Sequence, residues 1–299
     1  MDVRTALKDA MARLREAKVP SHTLAAELLL MHTLDRDRAW LYSHPEHTLE
    51  QEMSARYFDL VARRAVGTPT QFLTGRQEFW GLEFEVGPGV LIPRPETEHI
   101  VEVALARLGP AHAGSKFRHG SEGAALRVAD VGTGSGCLAV ALARELPEAR
   151  VWATDISPAA LEYAKRNAAR HGVEARIEYL EANLLSPLLP GGEAAAAAPF
   201  NLIVSNPPYV ARNSAGELPR EVRDYEPDAA LFGGEEGVEI YAPLIEQAAQ
   251  LLAPGGLLVL ELGFGALERV MELVGFAWTR VAITNDLAGI PRVLAAERA

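Results

Sequence analysis

Over residues 3 to 66 the apolar positions recur at intervals of three and four, as in Leu24, Leu28, Met31 and Leu34, without strand-like alternation. That spacing gathers them on one side of a helix, so the segment predicts several short helices. Pro20 and Pro45 punctuate it, and Ser21 and His22 stand before an apolar run containing Glu27, which predicts a small helical bundle packed mainly on itself. The period changes between Gln71 and Ile92. There the chain runs in short alternating or aromatic stretches, Phe79-Trp80-Gly81-Leu82-Glu83-Phe84-Glu85-Val86, stopped by Gly87-Pro88-Gly89. This pattern suits a β-hairpin linker.

A helix is predicted from about Glu96 to Leu108, then a Gly-, His- and Ser-rich loop over 109–123, the best candidate for flexibility. From Leu126 onward strand-like and helix-like segments alternate: Leu126 to Val131, Cys137 to Glu145, Arg150 to Asp155, Pro158 to His171, Arg176 to Leu180 and Phe200 to Ser205. Alternation on this scale is the mark of a parallel sheet wrapped by helices, an α/β Rossmann-like fold. A helix near Glu239 to Leu252, a strand at Gly256 to Leu262, a helix near Ala266 to Leu273 and two β segments, Trp278 to Ile283 and Arg292 to Ala295, close the chain. The last two are expected to pair antiparallel. The expected division is a helical domain over 1–75, a hairpin linker over 76–95 and an α/β domain over 96–299.

Composition narrows the function classes. The chain of 299 residues carries 29 Lys plus Arg against 40 Asp plus Glu, a formal charge of −11, which argues against broad binding to phosphate backbones. A single cysteine, Cys137, rules out an intrachain disulfide. Residues 1–10 are studded with charges and lack the apolar core of a signal peptide, and apolar runs such as Leu257 to Leu260 are far too short to span a bilayer. The expectation is a soluble, cytoplasmic protein with no membrane partner.

Two motifs carry chemistry. Asp130-Val131-Gly132-Thr133-Gly134-Ser135-Gly136 lies between a predicted strand and a predicted helix, with glycines at alternate positions where a ligand must approach the backbone. Asp155 ends the next predicted strand, where a carboxylate accepts from both ribose hydroxyls of a nucleoside. A tight strand-to-helix turn needs glycine without any ligand, but Asp155 weighs against that plainer explanation. The dinucleotide fingerprint read from Gly132 fails at Cys137, survives from Gly134 only in the looser form ending at Ala139, and no P-loop lysine is present. S-adenosylmethionine, an adenosine without phosphates, suits the pattern, with Asp130 near its ammonium group directly or through water.

Ser205-Asn206-Pro207-Pro208-Tyr209 follows the strand ending at Ser205, which sets it at the carboxyl edge of the sheet. Consecutive prolines remove N–H donors and turn nearby carbonyls outward. An NH₂ group conjugated to a carbonyl is a poor nucleophile unless acceptors polarise its N–H bonds. The Asn206 side-chain oxygen and the Pro207 carbonyl are candidate acceptors, and the Tyr209 ring a stacking surface. The plainer reading is a proline-rich turn.

The chain resembles the HemK/PrmC family of protein-(glutamine-N5) methyltransferases, which modify class-1 peptide-chain release factors. The matching stretches are Pro69 to Phe79, Leu91 to Glu98, Asp130 to Gly136, Asn206 to Tyr209, Tyr225-Glu226-Pro227 and Asp286 to Val293, spread along nearly the whole chain. The resemblance implies a Rossmann-like S-adenosylmethionine-dependent methyltransferase domain that releases S-adenosylhomocysteine. It further implies that Asp130, Gly132, Thr133, Gly134, Ser135, Gly136 and Asp155 hold the donor, that Asn206, Pro207, Pro208 and Tyr209 hold the glutamine amide, and that the helical domain recognises the release factor. Where the family often has an acidic residue and an aromatic near the adenine, this chain reads Glu181-Ala182-Asn183-Leu184; Asn183 and Leu184 are the candidates there, with Asn206 also near the donor.

Other residues read as structural. Cys137 is expected to pack, and His44-Pro45-Glu46-His47 is expected to turn rather than bind metal. Arg94 and Glu96 either line the site or cap the following helix with Thr97 and Glu98. Rival functions are methylation of a ribosomal protein's glutamine and adenine-N6 methylation of nucleic acid. The acidic balance and the absence of a basic, aromatic-rich recognition domain weigh against the latter, and no direct nucleic-acid binding is expected.

Overall fold

The spacing of the first 66 residues is realised as α1 (Val3–Glu16), α2 (His22–Leu34), α3 (Arg38–Ser43) and α4 (Gln51–Ala65) in the computed structural model, which describes residues 1–108 and 126–299. The loop expected over 109–123 lies outside the described residues. Two compact units are present: Met1–Arg76 with Val86–Pro88 and Leu218–Glu226, and Gln77–Glu85 with Gly89–Glu217 and Pro227–Ala299.

In the first unit, α1 begins where Asp2 Oδ1 accepts the Thr5 N–H at 2.8 Å, and α3 where Asp37 Oδ1 accepts that of Trp40 at 2.7 Å. The helices close on Ala6, Leu14, Ala26, Leu29, Leu30 and Val61, all fully buried, and the Tyr57 hydroxyl donates to the Ala26 carbonyl at 3.0 Å. Buried Glu27 is taken up by Arg38 at 2.9 Å and by the Tyr42 hydroxyl. The change of pattern at Gln71 does not yet mark the hairpin: residues 71–74 belong to α5 (Thr70–Thr74), within the helical domain expected over 1–75. Pro69 sets the entry to that turn, and Gly75, at φ +73°, ends it by donating its N–H to Gln71 O at 2.8 Å. Leu218–Glu226 joins this unit through an Arg64–Glu221 ion pair and a Thr68–Tyr225 hydroxyl contact of 3.3 Å.

The second unit opens on the expected hairpin, β1 (Arg76–Phe79) and β2 (Leu82–Glu85), followed by a 3₁₀ turn at Pro95–Thr97 and α6 (Glu98–Leu108). Then come β3 (Leu126–Val131), α7 (Cys137–Glu145), β4 (Ala149–Asp155), α8 (Pro158–Arg170), β5 (Ile177–Glu181) and β6 (Phe200–Ser205). The chain closes through α9 (Tyr241–Leu251), β7 (Leu252–Glu261), α10 (Leu267–Leu273), β8 (Trp278–Asn285) and β9 (Pro291–Arg298). The seven-stranded sheet has the order β5-β4-β3-β6-β7-β9-β8; β3 to β7 run parallel, and β9 is antiparallel to both neighbours. β7 begins earlier than expected. Phe200 pairs with Leu252 and Leu202 with Leu257, so an irregularity absorbs Ala253 to Gly256.

Alternate strand residues feed the two faces. Val128, Val151 and Leu202 pack with Ile100, Leu138 and Leu142 on one side, and Ala129, Ile203 and Leu258 with Tyr241, Leu244 and Val270 on the other. Each large apolar side chain so buried contributes about 1.5–3 kcal/mol. The doubly covered sheet is what the near-continuous apolar strands demanded. Chain order reverses at β3, whose neighbours are β4 and β6, and a crevice opens beyond the carboxyl ends of such strands. Among the described residues no helix is long and apolar enough to cross a membrane.

Candidate active site

The glycine loop turns from β3 into α7 through positive φ at Gly132, Gly134 and Gly136, of +70°, +55° and +82°. The Thr154 carbonyl at the end of β4 accepts the N–H groups of Gly132 and Thr133, both at 2.9 Å, tying the loop to its neighbouring strand. Gly136 serves packing. A Cβ there would stand 2.9 Å from Ala164 Cα on α8.

Fully buried Asp130 braces the turn from below, its Oδ2 accepting from Thr133 Oγ1 at 2.6 Å and from the Ala139 N–H at 3.0 Å. Burial pushes its carboxyl pKa up to about 7, and Oδ1 has no hydrogen-bond partner among the described residues. A further brace comes from buried Asn167 on α8: its amide donates to the carbonyls of Glu85, 3.0 Å, and Ser135, 2.8 Å, and its oxygen accepts the Glu85 N–H at 2.7 Å. Asn167 thus links hairpin, helix and glycine loop, a role its position in a polar helical stretch did not signal.

Asp155 ends β4 with both oxygens engaged, Oδ2 by the Gly134 N–H at 2.8 Å and Oδ1 by that of Ser157 at 2.9 Å. Burial raises its pKa against these bonds. The carboxylate borders a cavity of about 270 Å³. Of the residues expected at the site, Gly132, Thr133, Gly134, Ser135, Asp155, Asn183, Leu184, Asn206 and Pro208 line it, and Asp130, Gly136, Pro207 and Tyr209 do not. The walls also include Leu91, Pro93, Thr97, Ile156 and Phe232. A loop with glycine at alternate positions, a carboxylate at the strand end and apolar walls suit an adenosine-bearing cation with no phosphates, and buried Asp130 stands beneath the loop with one oxygen unpartnered.

Asn206 is set beside the glycine loop by the strand pairing Val131 with Ser205, whose hydroxyl donates to the Val131 carbonyl at 2.7 Å. The Asn206 amide nitrogen donates to Thr97 Oγ1 at 3.0 Å, Thr97 Oγ1 donates to Glu261 Oε2 at 2.7 Å, and the Tyr209 hydroxyl donates to Glu261 Oε1 at 3.2 Å. Half-buried Tyr209 lies against Gly263, where a Cβ would stand 2.9 Å from Tyr209 Cβ. Its phenol pKa is pushed upward by burial and by the Glu261 carboxylate. Burial likewise raises Glu261, at the end of β7, to about 7. Neither Thr97 as a site residue nor Glu261 was singled out from the sequence, although a lone carboxylate closing the apolar run Leu257 to Leu260 is a readable signal.

Cys137 packs on the core over α7 and also meets the cavity, with burial pushing its thiol up to about 12, far from a thiolate. His44 and His47 stand in a turn with both rings on Trp40, at centroid distances of 4.6 and 5.0 Å. Pro93 and Thr97 border the cavity where Arg94 and Glu96 do not, and Glu98 accepts the Trp80 N–H at 2.9 Å.

The PrmC N-terminal domain family matches residues 5–75 and the methyltransferase small domain family residues 117–218. The chain is 44% identical over 294 residues to a release factor glutamine methyltransferase of Koribacter versatilis, covering 98% of each. It is 40% identical to one of Moorella thermoacetica, covering 100% of this chain and 99% of that one. Among solved structures, a methyltransferase from Pyrococcus furiosus shares the fold with a TM-score of 0.51 at 19% identity, over 82% of this chain and 98% of that one.

Proposed function

Because this chain belongs to the family of release factor glutamine methyltransferases, we propose that it methylates the side-chain amide nitrogen, N5, of a glutamine in a class-1 peptide-chain release factor, with S-adenosylmethionine as donor. The observation that carries the chemistry is Asn206 in the cavity wall with its amide nitrogen donating to Thr97, which leaves Oδ1 as an acceptor for the substrate. When bound, S-adenosylmethionine supplies an electrophilic methyl group on a sulfonium.

The chain's own residues do the rest. Asp155 accepts from the ribose hydroxyls, and Asn183 and Leu184 face the adenine. The loop from Gly132 to Gly136 admits the methionine arm, with Asp130 beneath the loop favouring the ammonium through water rather than by direct contact. Asn206 Oδ1 and the Pro207 carbonyl each accept one N–H of the glutamine amide, polarising those bonds and stabilising the positive charge that develops on nitrogen as its bond to the methyl forms and the methyl–sulfur bond breaks. One nitrogen-bound proton is then lost to solvent and S-adenosylhomocysteine leaves. Behind Asn206, the Tyr209 hydroxyl donates to the same Glu261 carboxylate that accepts from Thr97. Residues 1–75 recognise the release factor, 76–95 link the parts and 96–299 carry catalysis in the cytoplasm. Incubation with labelled methyl donor and, in parallel, a class-1 release factor, a ribosomal protein and DNA tests the reading: label is expected on a release-factor glutamine, and label confined to either alternative overturns it.

A further inference from the structure

The network behind Asn206 has a direction set by its chemistry. A threonine hydroxyl has one proton to give and an ionised carboxylate has none, so Thr97 must donate to Glu261 Oε2 and must accept from whatever else touches Oγ1. What touches it is the Asn206 side chain, 3.0 Å away, which therefore turns its NH₂ to Thr97 and its oxygen elsewhere. Glu261 Oε1 meanwhile accepts from the Tyr209 hydroxyl. Thr97 and Glu261 are both nearly inaccessible, at 2% and 1% exposure, so water does not relax the pattern. The Tyr241 hydroxyl donates to the Glu261 backbone carbonyl at 2.9 Å and accepts the Gly263 N–H at 3.2 Å, holding the end of β7 where the carboxylate meets both partners.

We propose that Glu261 is the positioning residue of the amide clamp: as a carboxylate accepting from Thr97 and Tyr209 at once, it forces Thr97 to accept from Asn206 and so presents Asn206 Oδ1 to the substrate amide. This rests on the reading that a glutamine amide is the methyl acceptor. Only a group with two acceptor oxygens and no donor satisfies both hydroxyls. A glutamine, or a protonated glutamate, offers one acceptor and one donor. Donation to Thr97 sends the Thr97 proton to Asn206, which then rotates its NH₂ toward the substrate and opposes N–H with N–H. Donation to Tyr209 leaves that hydroxyl without its acceptor on Glu261. The charged and titratable groups around Glu261 are Arg292 on β9, which favours the ionised form and is paired with Asp286 at 2.8 Å, and Glu96 in the turn before α6, which opposes it. The phenols of Tyr209 and Tyr241 and the Cys137 thiol also feel this carboxylate. Burial outweighs Arg292 and leaves the carboxyl near 7, so the working form is the one present above that pH.

The test is methylation of a release factor by the full chain from pH 6 to 8.5, with calorimetric titration of S-adenosylmethionine alongside. The parent kcat should fall as pH drops through about 7. Glu261→Gln should lower kcat about 100-fold, the scale of losing one preorganised polar contact to a developing charge, with donor affinity unchanged and with the acidic limb absent. Thr97→Val should match it, and Thr97→Ser, which keeps the hydroxyl, should recover most of the parental rate; this pair decides the matter if Glu261→Gln does not fold. Parental kcat in Glu261→Gln or Thr97→Val, or an acidic limb of the parental shape in Glu261→Gln, overturns the relay. A parent that binds the donor yet labels no release-factor glutamine overturns the amide reading itself, which separates the two failures.

Discussion

Replacing Asp155 by asparagine should weaken S-adenosylmethionine binding while leaving the fold in place. The Asp155 carboxylate accepts the Gly134 N–H at 2.8 Å and the Ser157 N–H at 2.9 Å, one on each oxygen, and each oxygen keeps a lone pair for a ribose hydroxyl. Asparagine offers one oxygen and one NH₂, so one of the two backbone N–H groups faces a donor and one ribose hydroxyl loses its acceptor. A hydrogen bond to a charged acceptor is worth about 1.5–3 kcal/mol. Its loss corresponds to a dissociation constant raised about 10- to 150-fold. The fold should survive because the sheet is held by two faces of buried apolar side chains remote from this carboxylate. Isothermal titration with S-adenosylmethionine and S-adenosylhomocysteine measures the loss, and a melting curve checks folding. A folded Asp155→Asn variant that binds within about threefold of the parent, well under 1.4 kcal/mol, would refute this assignment of the ribose contact.

Asn206→Ala should slow single-turnover methyl transfer about 100-fold with donor affinity preserved, and parental transfer at saturating release factor would dismiss the amide clamp. Gly136→Ala should destabilise the enzyme by about 1–3 kcal/mol, since the added methyl meets Ala164 Cα at 2.9 Å and φ is +82°; an unchanged melting temperature contradicts the packing argument. Glu261 has a folded pKa raised from 4.5 to about 7, so its contribution to stability is present below 4.5 and is lost as pH rises through 7. Glu261→Gln should therefore gain stability relative to the parent between pH 5 and pH 8, and melting curves that differ by the same amount at both values would disprove it. Activity and stability then pull this carboxyl in opposite directions, since the clamp needs the ionised form that the fold disfavours.

Much of this protein was determined locally. Strands β3 and β6 and helix α7 fall on the residues that periodicity assigned them, because alternation, apolar runs and glycine turns act within a few residues of chain. The glycine loop, Asp155 and the Asn206 segment were legible for the same reason: each is a short motif whose place at a strand end follows from the strand before it. Two features were not legible. α5 is one turn long, too short for a helical period to show against its neighbours, and Pro69 and Gly75 close it. At Gly136, inside the expected donor loop, the missing side chain also makes room for α8, a packing role that only the tertiary structure shows.

Tertiary structure alone decided which polar groups meet. Thr97 and Glu261 are 164 residues apart and Glu85 and Asn167 are 82 apart, distances at which no local pattern carries information. Sheet order sets them together: pairing of β6 with β7 brings Glu261 to the edge where Asn206 emerges, so a carboxylate that looked like an interruption in an apolar strand becomes the acceptor on which the site is oriented. Periodicity tells which face of a strand is buried, but the partner of a buried charge is fixed only when burial has removed water and left one geometry that satisfies every donor.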